Sequence, residues 1–152
     1  MDEILGVIGE LGLCGGAAMC LVFNARKSTK DIDAIFAPAN EIRQAAKSLQ
    51  NKYGLSEDWL NDAVKGFIHK APPQQNVFAL SNLRVWSPTA EYMLAMKCIS
   101  ARWDSHDKDD IIFLMDLLEL KKPNDVYKII CRYYPQKAVP PKTQFVIEEI
   151  LS

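Results

Sequence analysis

Cysteine is scarce and unpatterned in this chain. Cys14, Cys20, Cys98 and Cys131 are scattered, without C-x-x-C spacing, so neither a disulfide framework nor a cysteine-based zinc site is expected. The two histidines, His69 and His106, are too few and too far apart to suggest zinc. No run of about 18 apolar residues occurs, so no membrane span is predicted. Net charge is only -1, which excludes a global basic field that would recruit nucleic acid. Asp2 and Glu3 make the start acidic, and glycines interrupt the apolar stretch that follows, unlike a signal peptide. A reduced, cytoplasmic setting is the expectation.

What is present is an ordinary globular composition: 49% hydrophobic and 24% charged over 152 residues, enough to bury a core. The charge is uneven. Residues 121–142 carry Lys121, Lys122, Lys128, Arg132, Lys137 and Lys142 against Asp125 alone. The expected organisation is a core over 1–120 with a helical extension over 121–152 packed on it.

Periodicity gives the elements. Ile4, Leu5, Ile8 and Leu11 predict a short helix over 2–11, and Ala17 to Phe23 a second one after the Gly15-Gly16 break. Asp31 to Phe36 alternates at period two until Ala34 and predicts a half-buried strand. Pro38 ends it, and 39–53 reads as a helix with Ile42, Ala45, Ala46 and Leu49 on one face, closed by Gly54. Ser56 is placed to cap a further helix through Trp59, Leu60, Ala63 and Val64. Val77–Leu80 and Leu83–Trp86 form a candidate hairpin. Ser87-Pro88 predicts a helix start running to about Trp103, Asp107 opens another, and 123–134 and 141–151 supply two more. The fold class is α/β (α+β): a small mixed sheet with helices around it and a helical C-terminal part.

Two features carry chemistry. On a strand, Asp31 and Asp33 point to one face, and adjacent like charges are unfavourable unless a cation sits between them. Two such oxygen donors suit Mg²⁺, which takes the rest of its ligands from phosphate and water. Gly15-Gly16 at a helix entry lets phosphate approach backbone N–H groups with no Cβ in the way. Between the two lies a basic loop, Arg26, Lys27 and Lys30, which is either a phosphate contact or a solvated surface.

These residues resemble a known pattern. Leu13-Cys14-Gly15-Gly16-Ala17-Ala18 followed by Arg26-Lys27-Ser28-Thr29-Lys30-Asp31-Ile32-Asp33 resembles the G-[GS] … T-x-D-[IL]-D signature of the DNA polymerase β-like nucleotidyltransferase superfamily. More narrowly, the chain is similar to small bacterial nucleotidyltransferase-like proteins related to abortive-infection and type IV toxin–antitoxin toxins. A second block, Ser87-Pro88 through Leu94-Ala95-Met96-Lys97, then Ala101-Arg102 and Asp107-Lys108-Asp109-Asp110-Ile111, resembles the same group. The resemblance implies that Gly15 and Gly16, with Arg26, Ser28 and Thr29, bind the nucleotide, and that Asp31 and Asp33 hold Mg²⁺ or Mn²⁺. It implies that Lys97 reaches the triphosphate in the cleft of Asp31 and Asp33, with Asp107 and Asp110 positioning Lys97 or the acceptor.

The implied activity is transfer of a nucleoside monophosphate from an NTP to an RNA (tRNA) or protein acceptor, in a toxin or phage-defence role with a cognate antitoxin. The chain departs from the superfamily in one respect. The candidate hairpin carries no acid; Asp62 or Glu91 could supply a third carboxylate from a helix, though nothing in the spacing requires it. This leaves a second reading open: a nucleotide-binding or protein-interaction module without turnover. Plainer readings also stand beside the site residues. Asp107 suits a helix cap, Lys97 a snorkelling lysine, and Tyr133 and Tyr134 either stack on RNA or pack on the core.

Overall fold

The computed structural model describes residues 1–25, 31–68, 71–103 and 106–152. It divides into two compact units, one formed by Met1–Gly66 with Gln74–Pro88, the other by Phe67–Pro73 with Thr89–Ser152. The architecture is mixed α/β, with a five-stranded sheet and six α-helices among the described residues.

The first unit holds the sheet. Its strands are β1 (Gly9–Cys14), β2 (Ile32–Ala37), β3 (Leu60–Asn61), β4 (Gln74–Ala79) and β5 (Leu83–Pro88), in the order β3-β2-β1-β5-β4. Neighbours β1 and β2 run antiparallel, as do β4 and β5, whereas β1 with β5 and β2 with β3 are parallel. The central position of β1 explains why a helix over 2–11 does not form. A central strand covered on both faces reads as a near-continuous apolar run, and β1 is buried everywhere except Glu10. Only one turn precedes it, closed by Ile4 and Leu5 N–H groups on the Met1 carbonyl. Gly6, Gly9 and Gly12 weaken any helix there, and Gly12 is required by the sheet. A Cβ on Gly12 would lie 2.3 Å from the Trp86 ring, its register partner's side chain on β5.

Two helices complete this unit. The first, α1 (Gly15–Leu21), begins at the glycine pair and ends two residues before Phe23. The second, α2 (Ala39–Tyr53), has the predicted bounds; it buries Ile42, Ala45 and Ala46 and ends on Gly54, whose φ of 63° is the left-handed conformation glycine tolerates. The helix predicted from Ser56 is absent. Its residues form a turn, then β3, then a short 3-10 helix over Ala63–Phe67, because backbone bonding at Trp59 and Leu60 goes to the sheet: Ile32 N–H donates to the Trp59 carbonyl at 2.6 Å and Ile32 pairs with Leu60. Trp59 Nε1 donates to the Ala46 carbonyl and pins the segment to α2. The β4–β5 hairpin forms as predicted but is longer. Its turn is held by Asp2, whose carboxylate accepts the N–H groups of Asn82 and Leu83 at 2.6 and 2.8 Å.

The second unit contains α3 (Ala90–Ser100), α4 (Asp107–Leu117), α5 (Pro123–Tyr133) and α6 (Pro141–Leu151). Pro88 ends β5 rather than starting α3; Thr89 is the cap, its hydroxyl accepting the Tyr92 N–H. The helix α3 packs on α4 and α5 and buries every residue from Tyr92 to Cys98, so it has no polar stripe. Both α5 and α6 begin with proline at the first helical position, where no N–H is needed. No helix among the described residues is long and apolar enough to cross a membrane.

Candidate functional site

The sheet brings the glycine turn onto Asp33. Cys14, the last residue of β1, is the register partner of Asp33 on β2, and Asp33 in turn pairs with Asn61 on β3. Register partners share a face, so Asp33 lies between a thiol and a neutral amide. The chain leaves β1 at Gly15 with a φ of 56°. A Cβ built on Gly15 would lie 2.7 Å from Asp33 Oδ2. Glycine is therefore needed twice here, for the left-handed backbone and for the carboxylate beside it. Gly16 follows inside α1 and is half-buried. With seven residues, α1 is short, so close backbone approach matters more than a helix dipole.

Asp31 sits one residue before β2, exposed, rather than within the ladder. Its Oδ1 accepts the Ser56 hydroxyl at 3.3 Å. The pair Asp31 and Asp33 thus comprises one carboxylate fixed by the sheet and one oriented by a neighbouring loop. Among the described residues, no group of three or more histidine, cysteine or acidic side chains is placed to hold a metal. Two hard oxygen donors, with the Gly15 backbone packed against Asp33 Oδ2, fit an ion such as Mg²⁺ that brings its own phosphate and water ligands.

Both alternative acids, Asp62 and Glu91, are held in ion pairs. Strands β4 and β5 carry no acid. Asp62, directly after β3, is bound to Arg43 at 2.7 Å and Lys65 at 3.0 Å. The Lys65 hydrogen bond, with the charges of Lys65 and Arg43, holds its carboxyl below the usual carboxylate range despite partial burial, which suits an ion-pair anchor and not a general base. Glu91, in the second unit, pairs with Arg132 at 2.6 Å.

In the second unit Lys97, Asp107 and Asp110 meet. Lys97 Nζ lies 2.8 Å from Asp110 Oδ2 and 3.1 Å from Asp107 Oδ1. Lys97 and Asp110 are 6% and 3% exposed, so this is a buried ion pair and not a snorkelling lysine. Asp107 is the first residue of α4, and its Oδ2 accepts the Arg102 backbone N–H at 2.7 Å, tying the turn before the helix to its first residue. The geometry joins the lysine to both acids that the resemblance implies for it.

The basic stretch behaves differently from its tyrosines. Lys121, Lys122, Lys128, Arg132, Lys137 and Lys142 are all exposed. Tyr134 is buried and its hydroxyl donates to the Phe67 carbonyl, while Tyr133 meets Tyr92 edge-on at 5.0 Å between centroids. Packing therefore claims both rings. Arg26, Lys27, Ser28, Thr29 and Lys30, the predicted phosphate loop, lie outside the described residues, as does His69.

Sequence reasoning missed Ser56 and Asp2. Ser56 was assigned to a helix cap, and only the pairing of β2 with β3 brings it to Asp31. Asp2 lies 80 residues from the turn it holds.

A glycine turn closing on an acidic strand of a mixed sheet is the arrangement expected of a nucleotidyltransferase-like protein. The chain belongs to the family described as a nucleotidyltransferase of unknown function (DUF6036), whose model matches residues 8–130. That membership supports a transferase at the level of class. No curated protein matches the chain.

Proposed function

We propose that the chain is an Mg²⁺- or Mn²⁺-dependent nucleotidyltransferase that transfers a nucleoside monophosphate from an NTP to a hydroxyl of RNA, such as tRNA, or of a protein. The observation that carries this reading is the approach of Gly15 to Asp33, where a side chain would collide with the carboxylate. In the reaction the acceptor oxygen attacks the α-phosphorus, the bond to the bridging oxygen breaks, pyrophosphate leaves and the hydroxyl proton passes to water. A divalent ion held by Asp31 and Asp33 would supply charge neutralisation at the phosphates. The protein's own part is to fix those two carboxylates and to present the Gly15-Gly16 backbone to phosphate.

The test is incubation with each NTP labelled at the α-phosphate, Mg²⁺, and total RNA or lysate. Transfer of label to RNA or protein, lost in Asp33→Asn, is the expected result; no labelling with any NTP defeats the reading. Under the toxin reading, induced expression arrests growth and Asp33→Asn relieves the arrest. A second reading, nucleotide binding without turnover, is favoured by the lack of acid on β4 and β5 and by the ion pairs that occupy Asp62. Nucleotide binding that persists with no labelled product would support it.

A further inference from the structure

We propose that Ser56 is a positioning residue for the metal-binding carboxylate Asp31, an inference that rests on the metal reading given above. Asp31 lies just outside the β2 ladder and is exposed, so sheet pairing alone does not orient its side chain. The Ser56 hydroxyl donates to Asp31 Oδ1 at 3.3 Å. The loop that carries Ser56 is tied at several points. It leaves α2 through Gly54, and the Leu55 N–H returns to the Gln50 carbonyl. Beyond Ser56, the Trp59 N–H donates to the Ser56 carbonyl, and the Trp59 carbonyl accepts the Ile32 N–H at 2.6 Å. The Trp59 indole is bonded to the Ala46 carbonyl, and Leu60 pairs with Ile32.

These ties bear on chemistry. The residue immediately after Asp31 is bonded to the residue three after Ser56, so serine and carboxylate sit on two segments fastened together. A hydroxyl donor to one oxygen of a metal-binding carboxylate restricts its rotation. Asp33 is placed by the ladder beside the Gly15 turn, and Asp31 carries the Ser56 hydroxyl on its Oδ1. The two-carboxylate site is thereby preorganised by two different devices.

The experiment measures Mn²⁺ binding to the full chain, alone and with a non-hydrolysable analogue of each NTP, by calorimetry and electron paramagnetic resonance. Variants are Ser56→Ala, Ser56→Thr, Asp31→Asn and Asp33→Asn, each with a melting curve of the metal-free protein. Ser56→Ala should weaken Mn²⁺ about 10-fold, the low end for losing a partner of a metal ligand. Ser56→Thr should keep near wild-type affinity, and the metal-free Tm should be the same for both. Wild-type affinity in Ser56→Ala, beside weak binding in Asp31→Asn, would overturn the proposal and leave the metal reading intact. Equal weakening by Ser56→Thr, or a matching fall in Tm, would also overturn it. Unchanged Mn²⁺ binding in both aspartate variants would defeat the metal reading and this proposal with it.

Discussion

Gly15 and Asp33 are packed so closely that a single methyl group on the glycine would lie 2.7 Å from the carboxylate Oδ2. Gly15→Ala therefore meets two penalties. The left-handed φ of 56° costs a non-glycine residue about 1–2 kcal/mol, and the carboxylate must rotate away. Urea denaturation should show that loss for Gly15→Ala. Adding Asp33→Ala should relieve the steric part and leave the backbone part, so the two changes combine non-additively. Strict additivity would mean that the contact carries no energy.

Lys97 is expected to matter for stability whatever its part in chemistry. Replacing it with methionine removes the ammonium 2.8 Å from Asp110, which is 3% exposed; breaking a buried pair typically costs about 3–5 kcal/mol. The double variant Lys97→Met/Asp110→Leu should recover most of that. Thermal melts of the three variants decide it; an unshifted Tm for Lys97→Met would show that the buried pair is dispensable.

The four cysteines should separate by reactivity. Burial pushes the Cys98 thiol up to about 12, so at pH 8 to 9 it stays protonated and inert. Cys131 is exposed and Cys20 half-buried. Iodoacetamide labelling read by mass spectrometry should modify Cys131 first and reach Cys98 only on unfolding. Early Cys98 modification would contradict the buried position of α3.

Asp62 gives the pH response a sign. Its carboxyl is held below the usual range, chiefly by the Lys65 hydrogen bond. A depressed folded pKa contributes stability that is present above the unfolded value, about 3.9, and is lost as pH falls through the lower folded one. Asp62→Asn should therefore destabilise at neutral pH and flatten the acid limb of the stability curve. Parallel curves for variant and wild type would remove Asp62 from the acid response.

The exposed cations of residues 121–142 make RNA contact measurable. If RNA is the acceptor, its binding weakens with salt, and neutralising Lys128, Lys137 and Arg132 together flattens the slope. Arg132 already pairs with Glu91, so it should contribute least. A salt-independent affinity would return these side chains to a purely solvating role.

Much of this was legible along the chain because the signals are local. Ile42, Ala45 and Ala46 before Gly54 specify α2 through one-turn periodicity and a left-handed cap, and Pro123 and Pro141 mark helix starts through their fixed φ. The Gly15-Gly16 break and the acidic strand entry were readable for the same reason, each being a short-range pattern of residue type, whereas the grouping of Lys97 with Asp107 and Asp110 came from the family resemblance. Tertiary structure decided the rest. The stretch 2–11 has helical spacing, yet from Gly9 it is a strand because the sheet closes around it and Trp86 needs the bare face of Gly12. The residues after Ser56 look like a capped helix, yet their hydrogen bonds go to β2. Asp2 and Ser56 gain their roles only from partners 80 and 25 positions away. Periodicity reports what one segment can do alone, whereas hydrogen-bond partners distant in sequence are selected by packing, and packing is a property of the whole sheet.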